Sequence, residues 1–116
     1  MSLISARLKS GMRGLSVKNK TDKELQELAA RAVGLDSSAV FQNGGDWDPL
    51  SDSEQAFDLM VELKFRVDHI HARKQQAMAG DGDYWAIVPY DGNPYAATRR
   101  AIVMAAAKLA EGRYGH

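Results

Sequence analysis

Apolar and polar positions alternate with helical period in three stretches of this chain. Thr21-Asp22-Lys23-Glu24 has the form of a capping box: the Thr21 hydroxyl accepts from the Glu24 amide, and the Glu24 carboxylate reaches back to the Thr21 amide. Leu25, Leu28, Ala29 and Ala32 then fall on one face, and Gly34 suits a left-handed stop. The pattern predicts a helix over 22–33. Ser51-Asp52-Ser53-Glu54 has the same form, and Ala56, Leu59, Met60 and Leu63 make a stripe with Phe57 at its edge, so 52–63 reads as a second helix. Asn93 as N-cap and Pro94 at the first helical position open a third. It is rich in alanine from Ala96 to Ala110, and the sequence predicts that it ends at Glu111 before Gly112.

The period changes to two between these helices. Phe65, Val67, His69 and His71 fall on one side of an extended chain and Arg66, Asp68 and Ile70 on the other. Residues 75–79 are a candidate partner strand. Asp81-Gly82-Asp83 is a turn, and Tyr84-Trp85-Ala86-Ile87-Val88 is the strongest strand pattern, closed by Pro89. Ala39-Val40-Phe41-Gln42 is read as a further short strand before the turn Asn43-Gly44-Gly45. Short connections between strands predict antiparallel pairing. The expected fold is α+β: a small antiparallel β-sheet of three to four strands flanked by three helices, as an α/β/α three-layer sandwich. Residues 1–20 read as a basic N-terminal arm, 21–112 as the packed unit and 113–116 as a short tail.

Composition changes this picture little. The 116 residues are 45% hydrophobic and 26% charged, as in ordinary globular chains. There is no cysteine, so disulfides and thiolate metal sites are excluded. Neither a signal peptide nor a membrane-spanning run is evident, and the expected location is a cytoplasm, with no membrane partner. Formal net charge is zero, but its distribution is uneven. Arg7, Lys9, Arg13, Lys18 and Lys20 stand in a segment without acids, whereas 36–62 carries seven acids and no lysine or arginine. A basic arm can contact phosphates, or lie against the acidic region of its own chain or a second copy.

The motifs together resemble the phage ABA sandwich domain family, small proteins of tailed bacteriophages and prophages. Three stretches carry the resemblance: 21–35; Trp47-Asp48-Pro49-Leu50-Ser51-Asp52 with its helix; and Ala96-Ala97-Thr98-Arg99-Arg100-Ala101-Ile102-Val103. It covers about residues 21–111. It implies the sandwich fold, a phage or prophage origin and the bacterial host cytoplasm. It brings no catalytic residues and no cofactor.

Several groups merit a chemical reading beside a plainer one. His69 and His71 share a strand face and are candidate zinc or nickel ligands; half-buried or edge histidines are the plainer reading. Asp46, Asp48, Asp52 and Glu54 suggest a calcium loop, but Leu50 and Ser51 stand where the loop needs an oxygen ligand and glycine. Trp47 then plugs the core while the acids cap a helix. Asp81, Asp83 and Asp91 are explained by turn chemistry. Arg99 and Arg100 can meet phosphates or a partner's carboxylates, and the favoured alternative is an internal pair with acids of the second helix. Tyr84, Trp85, Tyr90 and Trp47 are either an aromatic platform or core. No nucleophile, base and orienting group fall together. The sequence therefore points to a non-enzymatic accessory protein that binds an unknown protein or a second copy of itself, a homodimer included. Nucleic-acid binding through the arm, Arg99 and Arg100 is the alternative.

Overall fold

Local capping chemistry sets where the helices begin. In the computed structural model, whose described residues are 17, 19–69 and 75–114, α1 spans Asp22–Ala32. The Thr21 hydroxyl accepts from the Glu24 amide at 3.2 Å, and Glu24 accepts from the Thr21 amide at 2.9 Å. These hydrogen bonds favour the ionised form and hold the Glu24 carboxyl below its ordinary value of 4.5. Gly34 follows the helix with φ of 78°. Helix α2 spans Ser53–Leu63. Its cap is Asp52, one residue beyond the predicted Ser51: the Asp52 carboxylate accepts from the amides of both Glu54 and Gln55.

Helix α3 runs over Pro94–Tyr114 and does not stop at Gly112. Gly112 serves a close approach instead. A Cβ there would lie 2.3 Å from the Tyr84 hydroxyl, so the missing side chain makes room for the Tyr84 ring. Almost every residue of α3 from Ala101 to Ala110 is buried, because it is the central element. Helices α1 and α2 both pack on it, and the sheet covers another of its sides.

That sheet contains β1 (Arg66–Asp68), β2 (Gln76–Gly80) and β3 (Trp85–Pro89), in that order and antiparallel throughout. In register, Val67 stands opposite Ala79, Ala79 opposite Ala86, and Ala77 opposite Val88. Ala77, Ala79, Ala86 and Val88 are buried and face α3. Small side chains on both surfaces let the helix sit close to the sheet. The three helices and the antiparallel sheet are those the sequence predicts. The layering differs. The described helices stack on one face of the sheet; the other face, where the sequence reading also places helices, presents Trp85 (47% exposed) and Ile87 (38% exposed).

The segment between α1 and α2 is not the strand predicted at 39–42. It forms two short 3-10 turns, Ser37–Ala39 and Phe41–Asn43, with Val40 alone making a parallel bridge to Trp47. Side-chain amides hold it in place. Gln26, wholly buried, donates to the Gln42 side chain at 2.9 Å and accepts from the Leu50 amide at 2.9 Å. Gln55 accepts from the Asp48 amide, and Asn43 donates to Glu27. Trp47 is half-buried against the core, as predicted. At the other end of the described chain, Val17 is fully buried in that core, and Lys20 pairs with Glu111 of α3 at 3.7 Å. Arg7, Lys9, Arg13 and Lys18 lie outside the described residues.

Candidate functional site

The outer face of α2 carries Phe57 and Val61 one turn apart, and both are more than half exposed. Buried Ala56 and Leu59, with partly buried Met60, hold that helix on the core, so Phe57 is left at the boundary between core and solvent. Pro94 fixes the start of α3 directly before Tyr95, which is 75% exposed. Between these two rims, and over Val67 of β1, opens a groove of about 580 Å³. Ala56, Met60 and Ile102 contribute to its apolar lining.

The polar groups of this groove are few. His69 Nδ1 and the Tyr90 hydroxyl lie 2.6 Å apart, with their rings tilted 51° to one another. Arg99 borders the groove but is committed elsewhere. Its Nε donates to the Leu50 carbonyl at 2.8 Å and its Nη1 to the Ser53 hydroxyl at 3.0 Å. The Thr98 hydroxyl donates back to the Pro94 carbonyl at 2.7 Å, a hydrogen bond internal to the helix. The surface is thus shaped to take an apolar group, with His69 and Tyr90 as the polar pair at one side.

The other sequence candidates disperse. Arg100 forms the ion pair expected of it, but with Asp22 of α1 at 2.9 Å and not with an acid of α2. The Arg99 side chain reaches the start of α2, as predicted, but meets a carbonyl and a hydroxyl in place of a carboxylate. His69 follows the end of β1, while His71 lies outside the described residues. Among the described residues no group of three or more histidines and acids is placed to hold a metal ion. The Asp81 carboxylate accepts from the amides of Asp83 and Tyr84, which is turn chemistry. The four aromatics do not make one platform: Trp47 packs beside α2, Tyr84 against Gly112, Tyr90 in the groove, and Trp85 on the open sheet face.

Sequence reasoning names His69 and places Phe57 at the edge of its stripe, yet it misses the groove itself. The usable signal is the pairing of a bulky residue just off an apolar stripe with an aromatic directly after a helix-starting proline. Among the described residues no helix is long and apolar enough to cross a membrane. In comparisons of the chain with family profiles, curated proteins and solved structures, none matches.

Proposed function

We propose that this chain is a non-enzymatic interaction module and that the groove between α2 and the start of α3 receives an apolar segment of a partner protein. One observation carries the reading: two large aromatic rings, Phe57 and Tyr95, stand mostly in solvent on opposite rims of an apolar cleft. Exposed aromatics around such a cleft are the usual composition of a binding centre, because they bury much area at small entropic cost. The phage or prophage setting and the bacterial cytoplasm belong to this proposal through the sequence resemblance over residues 21–111.

The nucleic-acid alternative is less well supported. Lys20, Arg99 and Arg100 each engage an internal partner. A photo-crosslinking residue at position 57, compared with one at exposed Arg31 on the outer face of α1, tests the proposed function in bacterial cells. The expected result is a discrete protein adduct from position 57 and none from position 31. Equal labelling from both positions, or adducts to nucleic acid alone, contradicts it.

A further inference from the structure

We propose that two copies of this chain join through the edge of β3 that no described strand pairs, strand to strand and antiparallel, about a two-fold axis at Ile87. The surface is distinct from the groove, and the inference does not rest on the groove's role.

Among the described residues β3 is an edge strand, with β2 on one side. The Asp81 amide donates to the Tyr84 carbonyl, and the Tyr90 amide donates to the Gln75 carbonyl. In an antiparallel ladder the inward-pointing residues alternate. In the observed register Tyr84, Ala86, Val88 and Tyr90 turn their backbone groups toward β2, and Trp85, Ile87 and Pro89 turn theirs outward. The outward carbonyl of Trp85 is taken by the Lys108 ammonium at 2.8 Å, which agrees with that direction. Pro89 has no N–H to offer.

These two peculiarities block most strands and suit one. A strand laid antiparallel against β3 and centred on Ile87 must offer an acceptor to the Trp85 amide. It has no need of a donor for the Trp85 carbonyl, which Lys108 already serves. A second copy of β3 meets that condition. Ile87 faces Ile87 of the second copy, and each donates to and accepts from the other. Trp85 faces Pro89 of the second copy: the Trp85 amide donates to that carbonyl, and the donor Pro89 lacks is one the Trp85 carbonyl does not require. An ordinary strand would aim an amide at a carbonyl already occupied by a cation. Lysine and proline on an edge are common guards against indiscriminate pairing, and here they leave the self-pair open.

The side chains agree. Trp85, Ile87 and Pro89 share the open face of the sheet. In the pair, Ile87 meets its symmetry mate and the Trp85 ring meets the Pro89 ring of the second copy, covering the three exposed residues of β3. A recess of about 360 Å³ lies beside this edge, lined by Ile87, Met104 and Lys108 among others. The formal net charge of zero sets no long-range repulsion between copies. The interface is small, and a weak dimer is expected.

Sedimentation velocity of the full chain, from about 10 µM to about 1 mM, tests the pairing. The expected result is a rise from monomer to dimer mass. Ile87→Lys and Ile87→Glu are each expected to weaken association at least ~10-fold, because like charges then face across the axis. An equimolar mixture of the two is expected to regain dimer, since position 87 faces itself. Phe57→Ala, in the groove, is expected to dimerise as the parent does. A parent that stays monomeric at ~1 mM, an Ile87→Lys variant that dimerises with parent affinity, or a mixture that stays monomeric overturns the pairing. Loss of dimer in Phe57→Ala but not in Ile87→Lys moves self-association to the groove and also overturns it. Circular dichroism of each variant separates misfolding from lost association, and Ile87→Glu serves where Ile87→Lys is unfolded.

Discussion

The two faces of the small sheet are built from the same strands and treat bulk in opposite ways. The inner face is Ala77, Ala79, Ala86 and Val88, all buried against α3. The outer face carries Trp85, Ile87 and the half-buried Met78, with an Arg66–Asp68 ion pair at its β1 side. The larger apolar groups are outside. The reason lies in α3, whose alanines allow a close helix–sheet approach only if the sheet is also small-sided. The inner face is thus chosen for fit, and the outer face retains hydrophobic area that the described helices do not cover.

This contrast is sharpest where a side chain is enlarged. Ala79→Leu adds bulk to the fully buried centre of the inner face, where no neighbour can recede without moving the helix. A loss of about 3 kcal/mol is expected from urea denaturation, at the upper end for overpacking. A loss near zero would mean that the helix and sheet are not in close contact.

The next effect lies on the far side of α3. Gln26→Ala leaves the part-buried Leu50 amide without its acceptor. A loss of about 2 kcal/mol is expected, with the 40–50 segment becoming more open to protease. A protease pattern equal to that of the parent would deny Gln26 its role as the link between α1 and that segment.

Smaller still is the cap of α1, which separates local chemistry from packing. Thr21→Ala is expected to cost about 1 kcal/mol. Glu24 adds a pH dependence of known sign. Its folded-state pKa lies below the ordinary 4.5, so its contribution is fully present above that value and is lost as pH falls through the lowered one. The stability gap between parent and Glu24→Gln should accordingly narrow on acidification below pH 4.5. A gap that widens there would contradict the capping box.

Least affected should be the outer face. Ile87→Lys in dilute protein is expected to change stability by no more than ~0.5 kcal/mol. Ala79 enlarged and Ile87 charged thus separate the two faces: costly within, neutral without.

The legible parts of the fold are those fixed by neighbours in sequence. Thr21 with Glu24 and Asn93 with Pro94 announce helix starts because a cap is satisfied within three residues, and the second start is legible to within one residue, its cap being Asp52 in place of the expected Ser51. The Asp81 turn is readable for the same reason. The 39–42 segment is not, because its shape depends on Gln26, Gln55 and Trp47, which act from a distance. The strand pattern at 84–88 reveals two faces but cannot say which is inside. Trp85 reads as core or as part of an aromatic platform, and the small-sided packing of α3 on the other face leaves it exposed. Gly112 shows the same limit: it looks like a helix stop, yet its purpose is room for Tyr84, 28 positions earlier. For the groove, His69 and Phe57 are visible in sequence, whereas the meeting of α2 with the start of α3 is not.

The most direct test of the claim that the inner side is closed and the outer edge kept for association is amide hydrogen exchange along β3 at two protein concentrations. The Ala86 and Val88 amides, turned toward β2, should be protected equally in dilute and concentrated protein. The Trp85 and Ile87 amides should exchange rapidly when dilute and slow down as concentration rises. Ile87 protection that is already high in dilute protein, or that does not respond to concentration, would contradict the account.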